Sequence, residues 1–237
     1  MVIGYFADGP WSHNAMDVLL ANPELKIAFV CARNDTPDQV LKKKSEENGV
    51  PFLVHPNINS PEFIGKVREY GCDIFVSMSF NQIFKRDVIE EAPLGVINCH
   101  AGKLPYYRGR NVLNWALINY EEEFGITVHY VDEGVDTGDI IRQRCYPITD
   151  SDDYSTLLER AYVGCADVLG EAIKDILENK VEPRAQRDIH PFGLYCTARG
   201  PGDELLNWSQ PSRQVFNFVR AICPPGPSAR SFRGDDE

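Results

Sequence analysis

Asn98 and His100 stand two residues apart where the apolar run Gly95-Val96-Ile97 gives way to a polar loop. Residues i and i+2 of a strand project to one face. An amide and an imidazole therefore leave a strand end together. Imidazole exchanges protons near neutral pH. An Asn amide can donate to the oxyanion that forms during acyl transfer. A strongly acidic turn, Asp132-Glu133-Gly134-Val135-Asp136, follows a later apolar run. A carboxylate from it could fix the tautomer of the imidazole. The plain alternative for such a His is a hydrogen-bonded residue at a strand end. The motif offers no Ser or Cys nucleophile, since Cys99 points to the opposite face. The nucleophile is then expected from the substrate, as an amine.

The loop that follows carries Lys103, Arg108 and Arg110, three cations within eight residues, in a chain of net charge -11. Guanidinium groups suit bidentate phosphate binding. Tyr106, Tyr107 and Trp115 can stack on a base or sugar, or simply pack. A solvated rim is the plain reading of the charges. Taken together, the types fit an anionic substrate that carries a sugar.

Short apolar runs at 2–7, 26–32, 52–54, 73–78 and 95–100 read as strands. Helical patterns separate them. One covers Trp11 to Ala21. Thr36, Pro37 and Gln39 mark the start of a second, which Gly49 closes. Ser60-Pro61 starts a third, ending at Gly71. A weak pattern runs from Lys85 to Glu91. The alternation predicts an α/β fold, a Rossmann-like, mostly parallel sheet with helices on both faces. Beyond the loop come a helix over 111–120, strands over 125–131 and 140–148, and a long helix over 154–179. Residues 1–182 form the expected catalytic domain. From 183 to 237 the texture loosens into a C-terminal extension. It holds one helix, with Val215, Phe216, Val219 and Ile222 expected inward. Its end, around Arg233-Gly234-Asp235, reads as a partial hairpin.

Apolar content of 43% allows a sizeable core. The acidic balance argues against nucleic acid as the main ligand. No apolar run reaches about 18 residues, so no membrane span is expected. The first residues read as a strand, not a leader. Seven cysteines, widely spaced and without Cys-x-x-Cys, suggest free thiols in a reducing cytoplasm. No His spacing suits a metal.

The run Asn98-Cys99-His100-Ala101-Gly102-Lys103-Leu104-Pro105, with Gly125-Ile126-Thr127-Val128-His129 and Asp136-Thr137-Gly138, resembles the formyltransferases that use N10-formyltetrahydrofolate. The match is close over roughly 70–150. It departs at Ala101-Gly102-Lys103, where many relatives have a small residue, Ser and Leu; this looks like a substrate-side difference. The resemblance implies that Asn98 holds the formyl oxygen. It implies that His100 takes the amine proton or stabilises the intermediate, and that Asp136 holds His100. Phe80, Asn81, Gln82 and Phe84 would grip the pterin of the donor, with Asp132 and Glu133 closing over it; core packing is the rival for both Phe residues. Arg108 to Trp115 looks most like the nucleotide-sugar N-formyltransferases. The implied acceptor is a dTDP-linked amino-dideoxy hexose, of the kind used for lipopolysaccharide O-antigen. Trp11, Lys103, Tyr106, Tyr107, Arg108, Arg110 and Trp115 form the expected substrate side. No metal is implied, and a homodimer through the C-terminal region is a further expectation. The alternatives are a methionyl-tRNA formyltransferase, a formyltetrahydrofolate hydrolase, and a binding protein without activity.

Overall fold

Strands that follow one another through helices return to the same edge of a sheet and pair in parallel. The computed structural model, which describes residues 1–232, shows this for the first half of the chain. Strands β1 (Val2–Ala7), β2 (Lys26–Ala32), β3 (Phe52–Val54), β4 (Ile74–Met78) and β5 (Val96–His100) are parallel. After a two-residue strand β6 (Arg108–Gly109), β7 (Glu123–Tyr130) and β8 (Ile140–Pro147) extend the sheet antiparallel. The order is β3-β2-β1-β4-β5-β7-β8. The mostly parallel α/β reading therefore stands.

Helices cover both faces. On one lie α1 (Pro10–Ala21), α2 (Gln39–Glu47), α5 (Val112–Ile118) and the long α6 (Tyr154–Leu177). Leu157, Ala161, Cys165, Val168, Leu169, Ala172 and Ile173 of α6 are buried against Tyr5, Val76, Ile97, Cys99 and Val128 of the sheet. On the other face, α3 (Pro61–Arg68) and α4 (Arg86–Ile89) cover a Phe-rich core. Phe6 is its hub, with ring centroids 5.4 Å from Phe29, 5.3 Å from Phe75 and 5.0 Å from Phe84.

Two local expectations need correction. Helix α2 is capped by Asp38, whose carboxylate accepts from Leu41 N at 2.9 Å, so it starts after the Thr36-Pro37 pair. In α7 (Ser212–Ala221), Phe216 and Val219 face out at 42% and 45% exposure, while Ile222 is buried. Asn217 and Arg220 turn inward instead. The Arg220 guanidinium donates to Thr149 O at 2.6 Å and to Asn217 Oδ1 at 3.1 Å. Hydrogen bonding, not apolarity, selects the inner face.

The extension is tied back to the sheet. Strand β9 (Tyr195–Cys196) pairs in parallel with β6, and Arg184 bridges Ile140. Leu205 bridges Arg230 in parallel. The Arg233-Gly234-Asp235 turn lies outside the described residues. Among the described residues no helix is long and apolar enough to cross a membrane.

Candidate active site

The register of the sheet builds one polar row. Phe6 lies beside Ser77, Ser77 beside Asn98, and Asn98 beside His129. Equal register places these side chains on one face. That is the Phe-rich face, opposite Cys99, whose Sγ donates to Cys165 O in the other core. The row runs near the C-terminal ends of β4 and β5, where open α/β sheets place their sites.

Three groups converge on Asp136. His100 Nδ1 lies 3.7 Å from Oδ2, His129 Nε2 lies 3.5 Å from Oδ1, and Gly109 N–H donates to Oδ2 at 2.8 Å. Burial works against this carboxylate. The charges of the two imidazoles, the His129 hydrogen bond and the Gly109 amide outweigh it and hold the carboxyl well below the usual range. Asp136 is thus an anion throughout the working range.

Backbone carbonyls only accept, so in the neutral form of each ring they fix the tautomer. His100 Nε2–H donates to Tyr107 O at 2.7 Å. Its Nδ1 is left to carry the lone pair on the Asp136 side. His129 Nδ1–H donates to Tyr130 O at 2.7 Å, and its Nε2 lies 3.4 Å from Asn98 Nδ2. In the neutral ring Nε2 accepts from one Asn98 N–H and leaves the other N–H for a ligand; in the protonated ring it donates to Asp136 Oδ1 instead. An amide donor beside an imidazole lone pair is the equipment for stabilising an oxyanion while a proton leaves the attacking group.

The loop after β5 is shaped to hold His100. Gly102 leaves room for the ring, since a Cβ there would meet both the imidazole and Tyr107 O. Buried Thr127 donates to Gly102 O at 2.7 Å, and Gln143 donates to Thr127 Oγ1 at 2.8 Å and to Leu104 O at 2.9 Å. At Gly102, then, the departure fits the space that His100 and Tyr107 O leave.

Several expected substrate residues are spent elsewhere. Lys103 Nζ pairs with Glu123 Oε1 at 2.6 Å, at the start of β7, about 20 Å along that strand from His129. The Tyr107 side chain is buried in the opposite core, and its hydroxyl donates to Glu121 at 2.5 Å. Arg108 is held by Gln186, with its guanidinium 5.4 Å from the Tyr195 ring centroid. Trp11 packs edge-on to Tyr162 at 4.7 Å, and Trp115 Nε1–H donates to Thr197 O at 3.0 Å. Two keep outward-facing groups. Tyr106 lies 5.4 Å from the His190 ring, which neighbours the exposed Phe192. Arg110 is exposed, and its guanidinium has no partner among the described residues.

Residues 79–84 lead into α4, where Arg86 feels the charge of Glu133 from the turn 131–136. Phe80 and Val131 are half-buried on the aromatic core. These residues fit a flat ring on an apolar floor. Phe84 itself is core, at 4% exposure. Gln82 staples a neighbouring loop, accepting from Ile58 N at 2.9 Å and donating to His55 O at 2.8 Å. Asp132 closes its own turn, accepting from Gly134 N at 3.0 Å and from Thr137 Oγ1 at 2.5 Å. Phe80, Asn81 and Glu133 are left with side chains open to a ligand. No cluster of three or more metal-ligating side chains occurs among the described residues.

The residue that sequence reasoning missed is His129. Its motif, Thr127-Val128-His129, repeats the two-residue spacing of Asn98 and His100, and only the antiparallel register reveals that the two pairs meet.

The fold is of the α/β class, and its polar groups gather at the C-terminal ends of β4 and β5. Residues 7–172 match the formyl transferase family model, and the chain belongs to that family. It is 33% identical over 195 residues to a methionyl-tRNA formyltransferase of Citrifermentans bemidjiense, which covers 82% of this chain. The chain spans 57% and 60% of the length of two curated methionyl-tRNA formyltransferases it matches. A 4-N formyltransferase from Francisella tularensis superposes with TM-score 0.80 at 20% identity, covering 100% of this chain and 94% of its own. An N-formyltransferase from Helicobacter canadensis, solved with folinic acid and dTDP-3-aminofucose, gives 0.73 at 23% identity, covering 93% of this chain and 79% of its own. These likenesses establish the fold.

Proposed function

We propose that the protein transfers the formyl group of N10-formyltetrahydrofolate to the amine of a nucleotide-linked amino-deoxy sugar. Asn98, His100 and Asp136 carry the transfer, and His129 orients Asn98. The amine attacks the formyl carbon, Asn98 donates to the oxygen that becomes negative, and His100 Nδ1 receives the amine proton. As the intermediate collapses, His100 returns that proton to N10 of the donor while the bond from the formyl carbon to N10 breaks, and tetrahydrofolate leaves. The donor lies between 79–84 and 131–136, with Phe80 beneath its ring. An ammonium has no lone pair, so activity falls as the acceptor amine protonates at low pH.

The observation that carries the acceptor class is Arg110. Its backbone follows directly on Gly109, which donates to Asp136 at 2.8 Å, and among the described residues its exposed guanidinium has no partner. A free guanidinium beside a formyl-transfer site fits a diphosphate-bearing acceptor. Tyr106, His190 and Phe192 offer ring faces nearby for a sugar or base. The sugar N-formyltransferases among the structural neighbours support the same reading, and two of them were solved with a dTDP ligand. The outward face of α7, with Phe216 and Val219, fits a second copy of the chain, which sedimentation velocity tests.

The names of the sequence relatives favour a second reading, with methionyl-tRNA as acceptor. One experiment separates them. The protein is incubated with the formyl donor and, in separate arms, nucleotide-linked amino sugars, charged initiator tRNA, or buffer. Products are followed by mass. A formylated sugar supports the proposal. Formyl-methionyl-tRNA alone, or free formate alone, overturns it.

A further inference from the structure

The site carboxylate hangs on a loop, not on the sheet. Asp136 sits between β7 and β8 with φ of 53°, a left-handed conformation that a non-glycine residue keeps only when its surroundings fix it. Its carboxylate is held by two imidazoles and the Gly109 amide. Its main chain is held from outside the motif altogether.

Gln186, in the short 3-10 turn Gln186–Asp188 of the extension, is 3% exposed. Its Nε2 donates to Asp136 O and to Gly138 O, both at 2.8 Å. Its Oε1 accepts from Arg108 Nε at 3.0 Å and Nη2 at 2.7 Å. The chemistry allows one orientation of this amide. A flip would set NH2 against a guanidinium and oxygen against two carbonyls. Arg108 directly precedes Gly109, whose N–H holds the Asp136 carboxylate. The contacts form a closed ring: Gln186 to Arg108, along the chain to Gly109, to the Asp136 carboxylate, and through the Asp136 carbonyl back to Gln186.

We propose that Gln186 is a positioning residue for formyl transfer, by which the C-terminal extension sets where the Asp136 carboxylate stands. The proposal rests on the role given to Asp136 and holds for any acceptor. Two buried carbonyls depend on one donor group, and buried carbonyls do not stay unpaired. Without Nε2–H the loop must shift to find other donors, and the carboxylate shifts with it. Gln186→Glu keeps size and the Arg108 contact but removes both donors. Gln186→Leu removes everything.

Gln186 could instead merely fasten the extension to the sheet. Three consecutive amides distinguish the two roles. Arg108 N–H and Arg110 N–H donate to Leu194 O at 3.0 Å and Cys196 O at 3.1 Å, and so report the β6–β9 pairing. Gly109 N–H, between them, donates to Asp136 and reports the carboxylate. The experiment is residue-resolved amide exchange by NMR on wild type and both variants, with steady-state turnover of the formyl donor. In Gln186→Glu, protection of Gly109 N–H falls by about tenfold or more while Arg108 and Arg110 stay within about twofold. The kcat for formyl release falls about 10²-fold, and the donor KM stays put. Equal loss at all three amides overturns the proposal, as does a Gly109 N–H that stays protected. So does an unchanged kcat in a variant whose Gly109 N–H has become exposed. The exchange measurement needs no acceptor. Failure of the amino-sugar reading, seen as a wild type that formylates no nucleotide-linked amine, is therefore a separate result.

Discussion

His129 Nε2 lies 3.5 Å from Asp136 Oδ1 and 3.4 Å from Asn98 Nδ2, so one imidazole touches both the carboxylate and the amide of the site. The ring is 2% exposed, and its other nitrogen is fixed by Tyr130 O. It is too enclosed to meet a substrate, yet it aims the Asn98 donor. His129→Gln, which keeps a polar end without the fixed ring, lowers kcat about 10²-fold through misplacement of Asn98. The donor KM stays near wild type. Steady-state kinetics decide this, and a kcat within about threefold of wild type would remove His129 from the mechanism.

In the proposed mechanism His100 is the group that meets the reacting amine. His100→Asn removes the Nδ1 lone pair and spares the Asn98 row. Transfer falls by about 10²-fold or more, the usual scale for a positioned acid or base. Binding of a non-transferable folate analogue, measured by calorimetry, is unchanged. Undiminished transfer would sink the role of His100.

The Asp136 carboxyl is held below its ordinary range, which links it to stability in acid. A depressed folded-state pKa adds stability that is complete above the unfolded value, near 3.9, and is lost as pH falls through the lower folded value. Urea midpoints of the wild type therefore decline more steeply below about pH 4 than those of Asp136→Asn. Above that pH the two curves run parallel. Equal slopes below pH 4 would show that the carboxylate gains nothing from its neighbours.

The sequence exposed the alternation of strand and helix, and the pairing of Asn98 with His100, because period-two geometry is local. Asp136 was legible through the acidic turn and the resemblance. What stayed hidden depended on distant partners. The register that sets His129 beside Asn98 joins strands 31 residues apart. Lys103, Arg108 and Arg110 look alike in the sequence. Only folding shows that Glu123 takes the first and Gln186 the second. Helix α7 misled for the same reason: Arg220 finds three oxygens inside, so the polar face is the buried one.

That sorting of the three cations yields the sharpest test of substrate choice. Among the described residues Arg110 is the one of the three whose side chain has no partner, so it can meet an anionic acceptor without breaking a contact seen there. Arg110→Ala raises the KM for a nucleotide-linked amino sugar by roughly tenfold or more, the worth of one charge-assisted hydrogen bond to phosphate. The KM for the formyl donor does not move, because the proposed donor pocket lies on the 79–84 side. Lys103→Ala changes neither KM. It loses a half-exposed ion pair with Glu123, worth less than about 1 kcal/mol of stability, and the thermal midpoint records only that. Arg108→Ala behaves differently from both: it frees Gln186 Oε1, so kcat falls while both KM values stay put. A Lys103 variant that loses acceptor binding, beside an Arg110 variant that keeps it, would reverse the assignment and move the anion site to the far end of β7.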